Sequence, residues 1–177
     1  MQSLSDHSET ARPERVDFDA FVAVRGPALL RLSLALTGSR PEAEDLLQEA
    51  LARCFVRWRR VSILGNVEGY VRRVIVHQHI SRHRRRVFRY VALDAGPGRE
   101  LPIADAADGV VARVTIQAAL RQLPPQQRVV VVLTYYEDLT DAQIAEALGC
   151  AVNTVKSNRA KALASLRRSR EVATIHD

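Results

Sequence analysis

Residues 139–163 read LTDAQIAEALGCAVNTVKSNRAKAL. Two short amphipathic runs flank a Leu-Gly-Cys break, and how they pair decides the fold. Thr140 followed by Gln143 fits a capping box, in which side chain and backbone satisfy each other's orphan groups at a helix start. Ile144, Ala145 and Leu148 then fall on one helical face. Gly149 stands where a chain leaving a helix needs positive φ, which costs glycine little. A second run begins near Asn153, with an apolar stripe of Val155, Ala162, Leu163 and Leu166 that Arg159 interrupts. Its other faces carry Asn153, Thr154, Lys156, Ser157, Asn158 and Lys161, while Ala151 just before it has no side chain to cap with. Two short helices at a glycine-containing turn make a helix-turn-helix unit. The second helix of such a unit enters the major groove, where side chains that donate to phosphates and bases are required. An ordinary αα-hairpin with a solvated polar face fits the same pattern.

Composition narrows the choice. The chain has 177 residues, 47% of them hydrophobic, enough for one or two small domains with a buried core. A formal net charge of +6 favours an anionic partner, nucleic acid first. That charge is uneven. Residues 1–50 are acid-rich, whereas Arg57 to Arg89 holds ten arginines and one acid, Glu68. One surface therefore avoids nucleic acid and another seeks it. Cys54 and Cys150 lie too far apart for a paired metal or disulfide spacing and read as free thiols. No signal pattern and no run of 18 or more apolar residues is present, so the expectation is a cytoplasmic protein without direct membrane insertion.

Periodicity predicts an all-α protein of two small helical domains joined by a flexible linker, the C-terminal one containing the helix-turn-helix. Residues 1–15 read as a disordered tail. Asp17 to Thr37 is helical, with Pro27 expected to kink or split it and Gly38 to stop it. Ser39 and Glu42 match a second capping box. The next helix repeats Ala43, Leu46, Leu47, Ala50, Leu51, Cys54, Phe55 and Trp58 at three- and four-residue steps. Residues 61–66 form a loop from which Asn66 caps a third helix, running from Val67 to near Arg86. Residues 93–109 form the linker. Residues 110–170 form the second domain, with a helix to Gln122, Pro125 in the first turn of the next, and 171–177 as a tail. RVVVVLTYY at 128–136 has strand-like composition. A lone strand would leave its backbone groups unpaired, so it is assigned to helix.

PEAEDLLQEALARCFVRW at 41–58, the basic helix at 67–86 and the helix-turn-helix at 139–166 occur in this order. Together they resemble bacterial RNA polymerase sigma factors of the extracytoplasmic-function (group IV) type, in the sigma-E-like branch. The resemblance implies a region-two domain at 16–92, which binds the polymerase clamp and opens the minus-ten element. It also implies a region-four domain at 110–170, which docks on the flap and reads the minus-thirty-five element. Asp45, Leu46, Gln48 and Glu49 match the clamp-contacting motif, and Glu49 is expected to be exposed. Arg72, Arg73, His77, Gln78, His79, Arg82, Arg84 and Arg85 are the implied minus-ten set. The arginines would neutralise phosphates and the flat side chains meet unpaired bases. An Asn often stands in relatives where His77 sits, and small or apolar residues where Gln78 and His79 sit. Asn153, Thr154, Lys156, Ser157, Asn158, Arg159 and Lys161 are the implied minus-thirty-five set. Tyr135, Tyr136 and Trp58 read as packing residues.

The implied partners are core RNA polymerase and promoter DNA, with no small-molecule substrate and no cofactor. Members of the group are commonly held by an anti-sigma factor, though nothing in this chain identifies one. Two other readings compete. A stand-alone helix-turn-helix regulator would bind a two-fold site without polymerase. A nucleic-acid-processing enzyme would need a metal on His79 and His83, four residues apart, but neighbouring arginines repel a cation and no nucleophile-base spacing or phosphate loop is found. No metal site and no enzyme activity are therefore expected.

Overall fold

The structure, a computed structural model, describes residues 16–92 and 111–175. The expected tail at 1–15 and nearly all of the linker lie outside the described residues. Within them every regular element is a helix: α1 (Phe18–Thr37), α2 (Arg40–Val56), α3 (Trp58–Val61), α4 (Val67–Ala92), α5 (Val111–Gln122), α6 (Pro125–Tyr135), α7 (Asp141–Leu148) and α8 (Val152–Ile175).

Local chemistry sets most of these boundaries. Asp17 caps α1 by accepting from the Ala20 amide, and Gly38 ends it at φ 74°. Pro27 sits inside α1, which runs through it unsplit. The expected capping box at Ser39 does not form; Ser39 makes no side-chain cap, and α2 instead starts with Pro41 in its first turn. Asn66 Oδ1 accepts from the Gly69 amide at 2.7 Å, as a cap for α4. The box at Thr140 and Gln143 is complete, and Gly149 closes α7 at φ 65°. The valine-rich stretch is helical, as α6, because burial on several sides outweighs its strand propensity: Val129, Val130, Val131, Val132 and Leu133 are all buried. Helix α8 continues to Ile175, beyond the expected domain end at 170.

The larger of two apolar clusters among the described residues runs through both halves, and the smaller joins Leu123, Val131 and Ala162. Phe21, Leu29, Leu32 and Leu36 of α1 meet Leu46, Ala50 and Cys54 of α2 and Val71, Ile75 and Val76 of α4. The same core continues into Val129, Val130, Val132 and Leu133 of α6, Ile144 of α7 and Val155 of α8. By length and mean hydropathy α1 passes for a membrane span, yet its apolar side is spent in this core. Trp58 donates Nε1–H to the Val16 carbonyl and stands edge-on to Phe18, with ring centroids 4.9 Å apart. Burial pushes the Cys54 thiol up to about 11, so it packs as a small hydrophobe.

Arg128 ties the halves together. Its guanidinium donates to the Leu36 carbonyl at 2.7 Å, the Arg121 carbonyl at 2.6 Å and the Leu123 carbonyl at 3.2 Å. These carbonyls lie at the C-terminal ends of α1 and α5, where acceptors lack partners within their own helix. Burial, with Arg121 nearby, pulls the Arg128 pKa down to about 10, which leaves it charged at neutral pH. Arg128→Met removes the donors and leaves partly buried carbonyls unpaired. It should lower the stability by roughly 2–3 kcal/mol, read as a shift of the urea-unfolding midpoint.

Candidate nucleic-acid and polymerase interface

Helix α2 offers two faces. Leu46 is fully buried, so it supports the helix from inside and is not a contact, contrary to its place in the expected polymerase set. Asp45 and Gln48 are exposed on the opposite side. Beside them lie two exposed apolar residues, Phe55 at 61% and Val56 at 84%. Gln48, Leu51 and Phe55 share a shallow groove with Phe18 and Val22 of α1. The stripe expected to be core to its end therefore spills onto the surface at Phe55.

Glu49 is less open than expected. It accepts from Arg82 Nε at 2.9 Å and Nη2 at 2.7 Å, and from Arg53 at 2.9 Å. Arg82, and then Arg53, hold its carboxyl below the usual 4.5 against the opposing effect of burial. Arg82 also donates to the Asp45 carbonyl at 3.0 Å. A residue expected to meet phosphate is instead a brace between α2 and α4.

Apart from Arg82, the expected minus-ten set separates into three groups on α4. Gln78 and His79 are buried, 4% and 9% exposed, and are corrected from base contacts to interior residues. Arg72, Arg73 and His77 face α7 and the turn before it. Arg72 pairs with Glu137 at 2.7 Å and with Glu68 at 3.4 Å, and burial raises the Glu137 carboxyl pKa despite Arg72. Arg84 and Arg85 are exposed. A cleft of about 520 Å³ between α2 and α4 gathers Arg53, Arg57, Tyr70, Arg73, His77, Gln78, Arg82 and Arg85 on its walls. Arg53, Arg57 and Tyr70 had no part in the expected set. The four-residue step of Arg53 and Arg57 is visible in the sequence, but its facing α4 is not.

In the helix-turn-helix, Asn153, Thr154, Lys156, Ser157 and Lys161 are exposed and Asn158 is half-buried. Arg159 pairs with Asp141 at the start of α7 through both terminal nitrogens, one at 3.2 Å, and so ties the two helices together. Tyr135 and Tyr136, expected to pack in the core or between domains, are 59% and 47% exposed. No group of three or more His, Cys, Asp or Glu residues fit for a metal occurs among the described residues.

Two family models match the chain, Sigma-70 region 2 over residues 21–89 and Sigma-70, region 4 over residues 113–166. The RNA polymerase sigma-E factor of Streptomyces coelicolor is 36% identical, with 87% of this chain and 86% of that protein aligned. The sigma-E factor of Streptomyces antibioticus is 35% identical over 91% and 88%. The ECF RNA polymerase sigma factor SigL of Mycobacterium tuberculosis is 32% identical over 86% of each. In fold, the chain matches the sigma factor RpoE of Bartonella quintana, solved in complex with the anti-sigma factor NepR. The TM-score is 0.69 at 23% identity, over 88% of this chain and 98% of that one.

The Glu49 brace has a pH signature. A carboxyl whose folded pKa is depressed adds stability above its unfolded value, and that stability is lost as pH falls through the folded value. Wild type should therefore exceed Glu49→Gln in stability at pH 7, and the difference should shrink as pH drops below about 4.5. Thermal unfolding of both proteins at pH 7 and pH 3.5 measures it.

Proposed function

This chain belongs to the sigma-70 family, in its extracytoplasmic-function group, and on that premise we propose how its residues divide the work. It is a sigma factor that binds core RNA polymerase and directs promoter-specific initiation. Catalysis belongs to the polymerase, and this chain acts in the cytoplasm as a specificity subunit without an activity of its own. A stand-alone regulator would have no use for the region-two half.

The observation that carries the assignment is the exposed rim of α2, where Asp45 and Gln48 stand beside Phe55 and Val56. Carboxylate and amide next to uncovered apolar surface suit a basic coiled coil on the polymerase clamp, an apolar centre with a charged edge. Glu49 contributes by shaping that edge through Arg82 and Arg53. Residues 16–92 carry this contact and the minus-ten element, with Arg84, Arg85 and the arginine-lined cleft as the path of the displaced strand. Residues 110–170 carry the flap contact and the minus-thirty-five element, read by Asn153, Thr154, Lys156, Ser157, Asn158 and Lys161. The Bartonella neighbour is held by an anti-sigma factor, and we extend that class of partner to this chain.

Run-off transcription with bacterial core polymerase, on DNA from upstream of this chain's own gene, tests the reading. A defined transcript that requires both proteins is expected. Asp45→Arg with Gln48→Ala should weaken capture of core polymerase by about tenfold, 1.4 kcal/mol, with helicity unchanged. Lys156→Ala should lower the transcript more than polymerase binding, and reduce the salt slope of DNA binding by about one. Undiminished polymerase capture by the α2 double variant would remove the clamp assignment.

A further inference from the structure

One group beside the arginine-lined cleft has no use within the chain itself. Gln78 is 4% exposed, and neither Nε2 nor Oε1 of its amide has a hydrogen-bond partner among the described residues. Buried polar groups are nearly always bonded, so an orphaned amide calls for a partner. An apolar side chain of the same shape would fill this place in α4 without stranding a donor and an acceptor. Gln78 borders the cleft between α2 and α4, as does Arg73, whose Nε is also buried without a partner.

The surroundings select what can answer that amide. Tyr70, Val74, Gln78, Arg82 and Arg85 follow one another at three- and four-residue steps, so one stripe of α4 faces the cleft. Arg53 and Arg57 of α2 face it from across. Five arginines and one carboxylate, Glu49, line the space, so it attracts an anion. Glu49 is already bonded to Arg82 and Arg53. Guanidinium forks suit phosphate oxygens. Tyr70 offers a ring on which a flat heterocycle stacks. A carboxamide presents a donor and an acceptor side by side, the pattern that pairs with adenine. At about 520 Å³ the cleft falls within the roughly 300–1,000 Å³ range of small-molecule sites.

We propose that this cleft binds a free adenine nucleoside polyphosphate, its base on Gln78 and Tyr70 and its phosphates on the arginines, and that the bound nucleotide keeps the displaced strand out. The second half of the inference rests on the assignment of the cleft to that strand. A free ligand suits the site for two reasons. The Gln78 amide has almost no accessible surface, so a strand crossing the rim does not touch it, whereas a small ligand entering the cleft does. A strand also needs room for its backbone on both sides of the site, and there Arg73 and His77 are already bonded to Glu146 and the Ala147 carbonyl of α7. A mononucleotide has no flanking backbone to place.

The test uses the full chain. Calorimetric titration with ATP, and separately with tripolyphosphate, distinguishes recognition of the base from recognition of phosphate. ATP should bind about tenfold more tightly, the usual worth of one bidentate base contact. Gln78→Met, apolar and close in shape, should erase that preference with helicity unchanged. Arg57→Ala, on the exposed rim, should weaken both ligands. Tripolyphosphate bound as tightly as ATP, or a preference that survives in Gln78→Met, overturns the nucleotide site. Fluorescence anisotropy of a forked oligonucleotide with a single-stranded arm tests the second half. ATP at about ten times its own Kd should weaken strand binding about tenfold. Strand binding without ATP binding overturns the proposal and leaves the cleft as the path of the strand. ATP binding that leaves strand affinity unchanged overturns the competition. In that case Arg85→Ala separates the two ideas: weaker strand binding keeps the α4 assignment, and unchanged binding removes it as well.

Discussion

The guanidinium of Arg128 is the point on which the two halves turn. Bonded to carbonyls at the ends of α1 and α5, it answers acceptors that neither helix can satisfy internally. A cation near helix C-termini is also favoured by their dipoles. Arg121 reinforces the joint by donating to the Gly38 carbonyl just beyond α1. With this joint made, α6 lies against α1 and α4, and the apolar core closes as one body. The placement of α7 on α4, and so the covering of Arg73 and His77, follows from it.

Arginine is used here for two ends that compete. A strongly basic helix would serve phosphate alone if its charges were free. Instead Arg72, Arg73 and Arg82 each have a carboxylate partner, while Arg84 and Arg85 remain exposed. Paired arginines hold helices in register and leave a smaller set to attract DNA. Arg159 plays the same structural part in the helix-turn-helix, where its pair with Asp141 ties α8 to the start of α7. The positive charge of the chain is thus partly internal scaffolding, and net charge alone overstates the surface offered to nucleic acid.

Much of the fold was legible because its signals are local. Capping at Thr140, the glycine stops at 38 and 149 and the three- and four-residue apolar steps are each written within a few residues. The order of the acidic helix, the basic helix and the helix-turn-helix pointed to the family, since order needs no coordinates. At Ser39 the local signal misled, because Pro41 already serves the helix start and the serine side chain makes no cap bond.

What the sequence by itself determined was the all-helical character, the two modules and the residue types able to meet DNA and polymerase. The tertiary structure alone decided which of those residues are available. Gln78 and His79 turn inward, Glu49 is claimed by Arg82 thirty-three residues away, and Arg73 by Glu146 seventy-three away. The physical reason is that helical periodicity is a property of neighbours in the chain. Burial and ion pairing are properties of neighbours in space, and those exist only once Arg128 and the shared core have brought the helices together.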